Sequence, residues 1–154
     1  MKDGKYTLMK LETIMEMWDK DSKIDWTQPG KAAIGIPAVH NKYLKEYTNA
    51  RMRLKVINGL LSEMVSIKFQ YYSGYMDKDM LKSHGWQQFT IKLKTKSGIE
   101  KMIEGDEDIL KLQSRIANVE EKMLYLETVM KMLSNSNFMI TNYISWEKFQ
   151  AGSY

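Results

Sequence analysis

Lys68, Phe69, Tyr71 and Tyr72 place one cation beside three aromatic rings, and Ser73 and Gly74 follow at once. A lysine can neutralise a phosphate while a ring stacks on a base, a grip on single-stranded nucleic acid that needs no base-specific hydrogen bonds. The same residues admit a structural reading. Phe69 and Tyr72 can continue a buried stripe while the stem of Lys68 runs out of it to solvent. Periodicity does not decide between the two. Further cations stand upstream at Arg51, Arg53 and Lys55 and downstream at Lys92, Lys94 and Lys96, so a phosphate ligand has several places to bind.

Other chemistries find no constellation. Asp19, Asp21 and Asp25 have the opening spacing of a calcium loop, but Lys23 holds the fifth position, Ile24 stands where glycine is needed and Gly30 replaces the closing glutamate. Gly30 and Lys31 resemble the end of a phosphate loop, yet Asp25 occupies the leading glycine position and Ala32 that of the magnesium-binding hydroxyl. His40 and His84 are the only histidines, and without cysteine they form neither a metal site nor a nucleophilic triad. The expectation is a protein that is not an enzyme, with no catalytic residues, metal or cofactor.

The cations must be positioned by helices. Tyr43, Tyr47, Ala50, Leu54, Ile57, Leu61 and Met64 recur at alternating steps of four and three, and the next position of that seam is Lys68. A second seam, Ile109, Leu112, Ile116, Val119, Met123, Leu126, Met130 and Leu133, keeps the same alternation. This is the spacing that winds one helix against another, within one chain or between chains. Charge divides between them. Residues 42 to 68 carry six lysines and arginines against two acids, and residues 104 to 127 carry seven acids against three cations. A basic surface concentrates phosphate ligands, whereas two solvated helices of opposite charge can simply pair.

The fold class predicted is mainly α, with long seamed helices, a small β element, and assembly as a homo-oligomer. In one domain over 1–154, a first helix covers 7–20, capped by Thr7, with Leu8, Leu11, Met15 and Trp18 on one face. A connector with Pro29 and Pro37 covers 21–38, and the long basic helix 38–73 is closed by Gly74. Alternation over 88–103 fits a hairpin, with a helix as the alternative. The second coil covers 106–133, opening on acids that suit a helix N-terminus, and a last helix covers 137–150 after Ser134–Asn137 interrupts. The segment 1–10 has no signal-like apolar core and no run approaches the roughly 20 apolar residues of a membrane span, so a soluble protein of the cell interior is expected.

Three blocks carry a resemblance over nearly the whole chain: Lys68 to Gly74, Gly105 to Lys111, and Asn137–Ile140 through Phe149–Gly152, preceded by Leu11–Glu12 and Lys23–Asp25. In order and approximate spacing they resemble the UvsY recombination mediators of T4-like phages. The resemblance implies a small non-enzymatic protein that forms a ring-like homo-oligomer and binds single-stranded DNA. It would help a RecA-like recombinase replace the phage single-strand-binding protein, in recombination, repair and recombination-dependent replication within the cytoplasm of the infected bacterial host. In the family motif two basic residues, separated by one small residue, precede Tyr-Tyr-Ser-Gly and support DNA binding. Lys68 matches the second of these, and Ser66 stands at the first. The competing reading is a structural or adaptor coiled-coil protein that does not bind nucleic acid, its lysines merely solvated.

Overall fold

The computed structural model describes residues 9–93 and 95–152. Among them are five helices and no strand: α1 (Leu11–Asp21), α2 (Pro29–Tyr72), α3 (Lys78–His84), α4 (Lys96–Glu104) and α5 (Glu107–Gln150). The chain divides into two units, one comprising the residues up to Arg53 with those from Val119 onward, the other Leu54–Asn118. Both long helices contribute to both units.

In the first unit the two seams form one core. Ile14, Tyr43, Leu126, Val129 and Leu133 are buried there, flanked by Trp18, Ile36, Val39, Tyr47 and Met130. The Trp18 ring meets Tyr43 edge-on, with centroids 5.8 Å apart. The buried Tyr43 hydroxyl donates to Asp21 Oδ2 at 2.9 Å and Lys42 reaches the same oxygen at 2.7 Å, which ties α1 to α2. Tyr47 donates to Glu127 at 2.7 Å, so the first seam sits on the second within this chain.

Element boundaries depart from the sequence expectation in four places. Helix α1 starts at Leu11 rather than at 7, and Thr7, the expected cap, lies outside the described residues. The connector is shorter than 21–38, because α2 starts at Pro29. Asp25 folds the chain there by accepting from the Thr27 amide and hydroxyl at 2.9 and 2.6 Å, and proline suits a first helical position, where its missing N–H is not needed. Pro37 is therefore inside the helix. It is exposed, and the packing of Ile36, Val39 and Tyr43 on either side offsets a cost of about 3 kcal/mol for an interior proline.

The third difference is the expected hairpin at 88–103. Residues 96–104 are helix α4, with Thr95 Oγ1 accepting from the Gly98 amide at 3.1 Å. Ile99 and Ile103 alternate with charged residues as a strand would, but their i, i+4 spacing also serves a helix. Both are buried with Ile109 in the second unit's core, beside Leu61, Met64, Tyr72 and Leu93. Fourth, Ser134–Asn137 does not interrupt α5. The hydroxyls of Ser134 and Ser136 bond to the carbonyls of Met130 and Met132 at 3.1 and 2.9 Å, while Leu133 and Ile140 stay buried across the polar run.

Candidate nucleic-acid interface

The end of α2 is closed by its own backbone. Gly74 has φ 77°, its amide donates to the Tyr71 carbonyl at 3.1 Å, and the Tyr75 amide donates to the Gln70 carbonyl at 3.2 Å. This pair of hydrogen bonds caps a helix whose closing residue must be left-handed, so the run Tyr71–Gly74 has a local reason before any ligand is invoked.

One turn earlier, Lys68 completes the seam and is buried, with only 5% of its surface exposed. Its Nζ lies 2.9 Å from Asp106 Oδ2 and 2.7 Å from Asp108 Oδ2, and 4.0 Å from the centre of the Trp86 ring. Asp106, itself buried, uses both oxygens. Oδ2 accepts from Lys68 and from the Tyr72 hydroxyl at 2.7 Å, and Oδ1 accepts from the amides of Asp108 and Ile109 at 2.9 and 3.4 Å at the start of α5. Burial alone pushes Lys68 toward its neutral form, but the two carboxylates outweigh it and hold the lysine above its ordinary value. Burial likewise pushes Asp106 up, and hydrogen bonds from Lys68 and Tyr72 bring it below the usual carboxylate range. The Tyr72 hydroxyl is raised well above the ordinary phenol by burial and by Asp106.

Rings surround this node. Tyr71 lies 5.1 Å from Tyr72, 5.0 Å from Trp86 and 5.6 Å from Phe89, and Tyr72 meets Phe89 edge-on at 5.0 Å. His84 stacks on Trp86 at 4.6 Å, near parallel. Trp86 and Phe89, which the sequence did not single out, thus close the cluster from the segment between α3 and α4. The signals for the node were present: a lysine on an apolar seam position, and paired acids at a helix start. Their pairing is a tertiary fact.

The other candidate residues are placed differently. Phe69 is exposed on α2, while Tyr71 and Tyr72 are half-buried in the cluster. Arg51 and Lys55 are exposed on α2, in the first and second unit respectively, and Arg53 is half-buried. Lys92 is exposed between α3 and α4. Lys96 is exposed in the first turn of α4, 3.7 Å from Glu100. Lys94 lies outside the described residues. Of the second seam, Ile109, Val119, Leu126 and Leu133 are buried, and Leu112, Ile116, Met123 and Met130 are half-buried. Among the described residues no group of three potential ligands is placed to hold a metal, and no helix is long and apolar enough to cross a membrane.

Three crystal structures of the bacteriophage T4 recombination mediator protein UvsY share this fold. Lattice type II superposes with a TM-score of 0.81 at 21% identity, over 93% of this chain and 98% of that one. Type I gives 0.79 at 19%, over 90% and 98%, and type IV gives 0.77 at 17%, over 92% and 99%. No curated protein matches the chain. A family model described as "Recombination, repair and ssDNA binding protein UvsY" matches residues 17–153. With nearly the whole chain matched, the protein belongs to the UvsY family of recombination, repair and single-stranded-DNA-binding proteins.

Proposed function

We propose that this protein is a recombination mediator that binds single-stranded DNA and promotes loading of a RecA-like phage recombinase onto DNA covered by single-strand-binding protein. The observation that carries the reading is the family match over residues 17–153. Its action is remodelling rather than bond chemistry, in the cytoplasm of the infected bacterium, in recombination, repair and recombination-dependent replication. The exposed cations Arg51, Lys55, Lys92 and Lys96 meet phosphates. Phe69 and the edges of Tyr71 and Tyr72 are the rings nearest the end of α2.

Self-assembly belongs to the same proposal. Phe138, Met139, Trp146 and Phe149 on the last turns of α5 are 72%, 54%, 55% and 60% exposed, and large apolar side chains exposed along one helix are the material of a protein–protein contact. Several weak contacts on one strand, linked in an oligomer, raise the effective concentration of each and hold the strand while a filament nucleates.

Binding of a fluorescent oligothymidylate against salt, with mass by light scattering on the same sample, tests the reading. Salt-sensitive binding by an oligomer supports it. Arg51→Ala and Lys55→Ala should each lower the salt slope by roughly 0.7 for every phosphate left without its cation. An oligomer that ignores DNA at low salt would instead identify an adaptor protein.

A further inference from the structure

The segment joining α3 to α4 has the composition of a polyanion-binding strand. From Gly85 to Ile99 the chain contains no acid, and it holds Lys92, Lys94 and Lys96 with Gln87, Gln88 and Thr90. Its three large inward residues are fixed. Trp86 lies under Lys68, Phe89 packs on Tyr71 and Tyr72, and Leu93 packs against the core of Ile99, Ile103 and Ile109. The residues between these anchors, Gln87, Gln88, Thr90, Ile91 and Lys92, are all exposed. Among the described residues, no backbone group from Gln87 to Lys92 takes part in a backbone–backbone hydrogen bond. Backbone amides, side-chain amides, a hydroxyl and one ammonium therefore line a track whose other side is pinned.

Lys68 is placed to hold that track rather than to touch a ligand. It is buried and matched by two carboxylates, and the one that is open to solvent, Asp108, would repel an incoming phosphate. We propose that Gln87–Lys92 is a contact segment for single-stranded DNA, and that Lys68 and Asp106 are positioning residues that fix it through Trp86 and Tyr72. This rests on the DNA-binding reading above and adds to it the segment and the division of roles. Exposed glutamines and threonine supply hydrogen bonds to phosphate and base edges, and Lys92 supplies the charge.

Asp106→Asn separates the two roles of Lys68, because they predict opposite signs. If the lysine contacted phosphate, removal of a competing carboxylate would free it and tighten binding. If it positions the segment, loss of the charged anchor loosens Trp86 and binding weakens. Asparagine is isosteric and caps helices as well as aspartate, so this variant keeps the start of α5. For the full chain on oligothymidylate, we expect Asp106→Asn and Lys68→Met each to weaken binding about fivefold or more with the parent's salt slope. Lys92→Ala should lower that slope by roughly 0.7. Amide hydrogen exchange at 86–92 should slow when DNA is added to the parent, and the Trp86 amide, which donates to the Leu81 carbonyl at 2.9 Å, should exchange faster in free Asp106→Asn than in the free parent.

Tighter or unchanged binding by Asp106→Asn overturns the positioning role, as does a reduced slope for Lys68→Met. Unchanged exchange at 86–92 on adding DNA overturns the contact segment, while protection elsewhere with the parent still binding leaves the DNA reading intact. A parent that binds no oligonucleotide at low salt removes both.

Discussion

Lys68 Nζ lies 2.9 Å from Asp106 Oδ2, and that same oxygen accepts the Tyr72 hydroxyl at 2.7 Å, which joins the last turns of α2 to the residue just before α5. The lysine and aspartate side chains are each only 6% exposed, so neither charge has water as a substitute partner. Loss of Lys68 leaves Asp106 buried without a cation, and Lys68→Ala should destabilise the fold by about 3–5 kcal/mol. Urea unfolding measures this. A shift in midpoint no larger than that of Lys111→Ala, whose pair with Glu107 lies on the surface, would show the node to be dispensable.

The node also sets a dependence on pH. Asp106 is depressed, so its stabilisation is in place above the unfolded value of about 3.9 and is lost as pH falls through the lower folded value. Lys68 is raised, so its share is in place below about 10.4 and fades as pH rises through the folded value. The stability gap between the parent and Asp106→Asn should be constant from about pH 5 to 9 and narrow below about pH 4. A gap that widens in acid would refute the pairing.

Leu126 is fully buried among Ile14, Tyr43, Val129 and Leu133, where the two seams meet in the first unit. Leu126→Ala should cost about 2–5 kcal/mol through the apolar packing it removes and the cavity it leaves. Thermal unfolding by circular dichroism would register it. If the residue instead faced only a second copy of the chain, the cost would disappear on dilution.

Two glycines of the α2 region should respond in opposite directions. Gly74 is left-handed, so Gly74→Ala should destabilise by about 1 kcal/mol or more even though nothing lies within 4 Å of an added Cβ. Gly59 lies inside the helix with the same open space around it, and Gly59→Ala should stabilise by about 0.5–1 kcal/mol. Equal effects at the two positions would show that local backbone conformation does not govern them.

Sequence by itself determined what short-range physics controls. The spacing of Tyr43 to Met64 and of Ile109 to Leu133 specified two long helices, because burial of one stripe per helix leaves little other choice. The three blocks that resemble the UvsY family pointed to the lineage, which the family match over residues 17–153 shows. Local signals with two meanings were settled only by packing. Ile99–Ile103 suits a strand or a helix, and burial beside Ile109 with a cap at Thr95 chose the helix. Pro37 and Ser134–Asn137 look like breaks, but flanking residues in the core carry α2 and α5 through them. The role of Lys68 was the least accessible to sequence. A lysine beside aromatic rings reads equally as a phosphate contact or a buried ion, since the difference lies in whether distant carboxylates reach it. Only the tertiary structure brings Asp106, Asp108 and Trp86 there, because long-range charge pairing has no sequence period to reveal it.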